Sequence, residues 1–170
     1  DISSEEQALF TFTSALIMLR AAHPVFRRRQ FFQGRSIYGA DIKDLSWFRP
    51  DGEEMTEEDW KQGYGRCLGV RLGGDRIEEK DHLGNPILDN TFLLLINAHH
   101  EPIQFTLPKP LATVQWQLVL DTVQEVVPAH APLIAEGNHY DLKGRSLALM
   151  QIEAAVPIRP PLRGFPSAGG

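Results

Sequence analysis

The chain has 170 residues and a formal net charge of -5, with a pI of about 5.7. That length fits one domain with a substantial core, and the acidity gives no support to nucleic-acid or anionic-membrane binding, both of which need a concentrated basic surface. Cys67 is the only cysteine, which excludes an intrachain disulfide and argues against a thiolate metal cluster. No stretch resembles a signal peptide or a membrane span, so an intracellular, cytoplasmic address is the simplest expectation.

The first predicted element is a helix over Ser4–Ala22. Ser3 and Ser4 precede Glu6 and Gln7 in overlapping capping-box patterns, and His23-Pro24 ends the helix because a residue before proline avoids helical dihedrals. At about 100° per residue, Leu9, Phe12, Leu16 and Leu19 form one apolar stripe, Phe10 and Ile17 a second, and Ala15, Met18 and Ala22 a third. A helix apolar nearly all round is normally covered on several sides. A small β domain shelters one of them.

Arg27-Arg28-Arg29 reads as a solvated connection rather than a nucleic-acid patch, since the triplet stands alone in an acidic chain. Lys43–Arg49 then alternates as a strand, with Leu45 and Trp47 on one face and Asp44, Ser46 and Phe48 on the other. Arg49-Pro50-Asp51-Gly52 is a turn that uses the fixed φ of proline and the positive φ open to glycine. Thr56 is placed to cap a short helical turn over Glu57–Trp60.

Arg66–Leu72 is a strand with Leu68, Val70 and Leu72 expected inward and Cys67, Gly69 and Arg71 outward. Gly73–Asn90 is polar, with Gly84-Asn85-Pro86 marking a long loop. Phe92–Ile96 is an unbroken apolar run, expected as a central strand covered on both faces. Ile103, Phe105 and Leu107 alternate with polar residues, so Phe92–Pro108 is expected to form a β-hairpin with its second strand nearer an edge. Further strands are expected at Trp116–Leu120 (Trp116, Leu118 and Leu120 sharing a face), Val123–Val127, Leu133–Ile134 and Ser146–Ile152. Many short strands after one helix predict a mainly β fold, an antiparallel β-sandwich. The predicted parts are a helix over 1–23, a sandwich over 24–152, and a disordered tail over 153–170 rich in Pro, Gly and Ser.

Several of these segments resemble, in order, the C-terminal part of isoamylase-type glycogen debranching enzymes. They are Arg27–Gly34, the block Asp44–Trp60 (DLSWFRPDGEEMTEEDW), Leu68-Gly69-Val70, Asn97-Ala98-His99-His100-Glu101-Pro102 and Gly144-Arg145-Ser146. The Asp44–Trp60 block is the most specific. The resemblance implies a glycoside hydrolase of the alpha-amylase superfamily, with an N-terminal β-sandwich, a (β/α)8 catalytic barrel and a C-terminal β-sandwich. Ser4–Ala22 then resembles the last barrel helix, and the sequence reads as part of a longer chain. Leu9, Phe10, Phe12, Leu16, Ile17 and Leu19 become candidates for an interdomain joint with that barrel, or for self-association without it.

The chemistry implied for the family is hydrolysis of α-1,6 branch links in glycogen or limit dextrins, by two carboxyl groups about 5 Å apart. Those groups belong to the barrel. No catalytic residue is carried over to this chain, no cofactor or metal is implied, and branched α-glucan is a partner only through the parent. The acidic run Asp51–Asp59 has the look of a solvated turn rather than an acid/base pair. His99-His100-Glu101 is set aside as a metal site because adjacent strand residues face opposite ways. An alternative reading is a carbohydrate-binding module or stand-alone interaction domain. Its sugar-stacking candidates are Trp60, Trp47, Trp116 and Tyr140, with Arg49, Asp51 and His139 as hydrogen-bonding neighbours. Trp47 and Trp116, on the apolar faces of their strands, read first as core.

Overall fold

The computed structural model describes residues 3–34, 43–62, 65–108, 115–123, 131–132 and 138–154. Helix α1 (Ser4–Ala22) starts where the capping pattern places it: Ser3 Oγ accepts the Glu6 N–H and the Glu6 carboxylate accepts the Ser3 N–H. His23 stops it in an extended conformation, and a 3-10 turn over Pro24–Arg27 turns the chain onto the sheet.

The strands described are β1 (Leu45–Phe48), β2 (Cys67–Leu72), β3 (Thr91–Asn97), β4 (Ile103–Thr106), β5 (Gln117–Asp121), β6 (Ala131–Pro132), β7 (His139–Leu142) and β8 (Ser146–Ile152), with a one-turn helix α2 (Glu57–Trp60) between β1 and β2. They form a six-stranded sheet in the order β1-β2-β3-β8-β5-β6 and a two-stranded sheet of β4 and β7. Every pairing is antiparallel. The two sheets close over Leu93, Leu95, Phe105, Leu107, Trp116, Leu118, Leu142, Ala148 and Met150, so the fold is an antiparallel β-sandwich preceded by one helix.

The large sheet is also covered on its other face. Phe92, Leu120 and Leu149 there meet Val25 of the 3-10 turn and Ile77 of the β2–β3 connection. Phe92 and Leu93 are neighbours in sequence and both wholly buried, one in each cluster, which is why β3 reads as a continuous apolar run. Burial of each such side chain is worth about 1.5–3 kcal/mol.

The α1–sheet junction is sealed by charge. Asp89, almost fully buried, accepts the Val25 N–H at 2.9 Å and lies 2.7 Å from His23 Nδ1. Nearby, buried Asp44 bonds Arg28 at 3.0 Å and accepts the N–H groups of Gln33 and Gly34. These partners compensate the carboxylates for the loss of water.

The structure corrects four expectations. Phe92–Pro108 is not a hairpin: β3 pairs with β2 and β8, whereas β4 pairs with β7 in the other sheet. The polar link after Asn97 carries the chain across the sandwich instead of folding it back. Leu120 does not share a face with Trp116 and Leu118; Leu118 lies opposite Met150 but Leu120 opposite Leu149, so a bulge with Val119 as the extra residue turns Leu120 to the helix side. On β2, Cys67 packs against the intersheet core and Leu72 against the opposite cluster, because strands buried on both faces have no outward set. Phe48, not Trp47, packs on the intersheet core. Val123 lies in a turn after β5, and 124–127, Leu133–Ile134 and 155–170 lie outside the described residues.

Candidate functional site

The loop from β1 to β2 builds one surface from local signals. Gly52 takes φ 87° and its N–H donates to Arg49 O at 3.0 Å, closing the predicted turn. Thr56 caps α2 in a capping box with Asp59. Arg49 forks onto Asp51, with Nη2 to Oδ2 at 2.8 Å and Nε to Oδ1 at 3.2 Å, and extends Nη1 to Asp59 Oδ2 at 3.3 Å. Turn and helix are thereby tied together, and Trp60 at the end of α2 meets Trp47 of β1 edge-on, ring centroids 5.2 Å apart. Trp60 is 51% exposed and Trp47 half-buried.

Arg49 holds the Asp51 carboxyl below the usual aspartate range. The Thr56 backbone and hydroxyl, with Arg49 behind them, do the same for Asp59. Both are anions at neutral pH. A retaining pair needs one carboxyl raised to act as the acid and one ionised, so this arrangement suits hydrogen bonding to hydroxyl groups rather than glycosidic cleavage.

The turn rests on the small sheet. Thr106 N–H donates to Pro50 O at 2.8 Å, and a Cβ on Gly52 would meet Thr106 O at 2.9 Å. Across from Thr106 is His139, exposed, with Nδ1 3.2 Å from Thr106 Oγ1. The structure therefore brings Trp47, Trp60, Arg49 and Asp51 together and adds His139 through Thr106. Tyr140 is not among them: it packs on the intersheet core and its hydroxyl donates to Asp121 Oδ2 at 2.6 Å. Burial, then the Asp121 carboxylate, push its ionisation well above the usual tyrosine range. Asp59 and Thr106 were missed as members of this surface. In sequence Asp59 reads only as one carboxylate of a solvated acidic run, and Thr106 needed the strand register.

A second surface is the outer side of α1. Phe12 and Leu19, two turns apart, pack against the cluster around Phe92. Leu9 and Leu16, expected on the same stripe, are exposed, as are Phe10 at 68%, Ile17 and Met18 at 70%. No residue of the helix is buried, and no helix among the described residues is long and apolar enough to cross a membrane.

A third feature was read wrongly from sequence. His99, His100 and Glu101 lie in the bend after β3, not on a strand, and one ligand atom from each lies within 4.8 Å of the others. The alternation expected of a strand does not separate them.

Residues 44–151 match the family model described as "Isoamylase, C-terminal". The chain is 37% identical over 144 residues to the glycogen operon protein GlgX homolog of Mycobacterium tuberculosis, covering 84% of this chain and 20% of that protein. It is 24% identical over 156 residues to the isoamylase of Pseudomonas amyloderamosa (87% and 18%), and 31% identical over 104 residues to the glycogen debranching enzyme of Dickeya chrysanthemi (61% and 12%). The chain thus spans about a fifth or less of the length of these curated relatives. With a sandwich of this topology and a match over most of its length, the chain belongs to the isoamylase C-terminal domain family.

Proposed function

We propose that this chain is the non-catalytic C-terminal accessory domain of a cytoplasmic glycogen debranching hydrolase, and that it seats and stabilises the catalytic barrel through the outer face of α1. The parent would hydrolyse α-1,6 branch links of glycogen or limit dextrins. The observation that carries this reading is a helix ahead of the family match whose Leu9, Phe10, Ile17 and Met18 stand in water, in a chain whose relatives are about four to five times as long. Apolar side chains on one helix face are worth about 1.5–3 kcal/mol each when covered, and the sandwich leaves these uncovered. Amide exchange tests it. Phe10–Met18 should exchange far more slowly in a longer chain carrying the upstream region than in this chain, and this chain should release no reducing ends from glycogen. Equal exchange in both would overturn the joint, and release abolished by Asp51→Asn would overturn the non-catalytic assignment.

A second reading is favoured by the half-exposed Trp60 beside Trp47. Sugar rings stack on exposed aromatic faces, and Arg49, Asp51 and His139 supply hydrogen-bonding groups close by. On this reading the surface holds a branched α-glucan weakly. In affinity electrophoresis through glycogen-containing gels, the chain should be retarded and Trp60→Ala should run free. Identical mobilities would reject it.

A further inference from the structure

We propose that His99, His100 and Glu101 form a surface site for a divalent transition-metal ion of the zinc and copper class, bound by two imidazoles and a carboxylate with one coordination position open. The distances are those of donors within side-chain rotation of one ion. His99 Nδ1 is 3.9 Å from Glu101 Oε2, and His100 Nε2 is 4.0 Å from Glu101 Oε1, so the carboxylate turns one oxygen to each imidazole. Two donors of a tetrahedral zinc, each at about 2.1 Å, stand about 3.4 Å apart, so each of these pairs has about half an ångström to close. The trio as a whole lies within 4.8 Å. Closing the widest gap asks for about 1.4 Å of movement, supplied by side-chain rotation of exposed His100 and Glu101 and half-buried His99. The imidazole rings are already side by side, centroids 4.2 Å apart.

What separates this from a chance run of polar residues is the backbone beneath it. Asn97, 1% exposed, accepts the His99 N–H at 2.9 Å and donates to Glu101 O and Lys143 O, each at 2.9 Å. Arg145 N–H donates to His99 O at 2.7 Å. Gly144 lies so close behind the loop that a Cβ there would stand 2.1 Å from His100 O. All three ligand residues are thus fixed at the main chain, and binding has only side-chain torsions left to order, which lowers its entropic cost. Coordination at His99 Nδ1 replaces the 3.2 Å bond it accepts from Glu101 N–H, an exposed group that water can satisfy.

The donor set chooses the ion. Two imidazoles and one carboxylate suit zinc, copper or nickel and not magnesium, which prefers oxygen ligands. Cys67 stays outside the set: its thiol donates to Asn97 Oδ1 at 3.1 Å, and burial pushes its ionisation up. His99 also lines a shallow depression with Pro50, Arg66 and Ile103, which leaves room for a ligand at the open position.

Calorimetric titration of the chain with Zn2+, and separately with Mg2+, tests the site. One equivalent of Zn2+ and no Mg2+ should bind, and Zn2+ should raise the thermal midpoint by mass action. His100→Ala and Glu101→Ala should each weaken Zn2+ about tenfold or more, while His82→Ala, on another exposed loop, leaves binding unchanged. The metal-free midpoint of His100→Ala should equal that of the parent, because the ring is exposed. Zn2+ affinity unchanged in His100→Ala, loss in His82→Ala as large as in His100→Ala, or no Zn2+ binding at all would each overturn the proposal.

Discussion

Asp59 shows how one side chain joins two local structures: it caps α2 through Thr56 and reaches Arg49 of the preceding turn. Its ionisation is lowered in the folded chain, so its contribution to stability is present above the unfolded aspartate pKa of about 3.9 and is lost as pH falls through the folded value. Asp59→Asn should therefore be less stable than the parent at neutral pH, with the two denaturation midpoints converging as pH falls from about 5 to 3; parallel curves would show that the carboxylate contributes nothing. Thr56, Gly52 and the Ser3–Glu6 box were legible in sequence because their partners lie within a few residues. Asn97 was not. Its carbonyl partner Lys143 is 46 positions away, and no local pattern marks a buried amide whose contacts depend on the register of β7 and β8.

At the scale of elements, α1, β3 and β8 follow from capping and apolar patterning, and the structure places β8 over Ser146–Ile152 as the sequence predicts. The β3–β4 hairpin failed for a physical reason: sequence neighbours usually pair, but in a sandwich a short polar link serves equally well to change sheets. The bulge at Val119 left no trace either, since an extra apolar residue does not break an apolar run. Of the candidate surface, the individual residues were legible, but the Trp47–Trp60 contact depended on α2 folding back over β1. For α1, removal of residues 1–22 should leave the sheets folded, because its inward contacts come from the half-buried Phe12 and Leu19 while His23 keeps its bond to Asp89. The shortened chain should also be more monomeric at high concentration by light scattering. Loss of cooperative unfolding would show that the helix is integral to the core; an unchanged apparent mass from a parent that self-associates would show that its outer face is not the contact.

For the whole molecule, the order β1-β2-β3-β8-β5-β6 matters more than the number of strands. The last strand described, β8, stands between β3 and β5 and pairs with both, contributing Ala148, Leu149 and Met150 to the two apolar clusters. A chain cut after Lys143 should therefore show no cooperative thermal transition, whereas one cut after Ala154 should melt as the parent does. A truncated chain that melts normally would mean that β3 and β5 can pair without β8. The same arrangement bears on biosynthesis. While the polypeptide is being made, β3 and β5 emerge with open edges and nothing between them, and the large sheet cannot close until β8, Ser146–Ile152, has left the ribosome. For that interval Phe92–Ile96 is an apolar strand awaiting its second partner, the kind of open edge that chaperones shield and aggregates capture. The time between synthesis of β3 and synthesis of β8 is therefore the interval in which this domain is most open to capture.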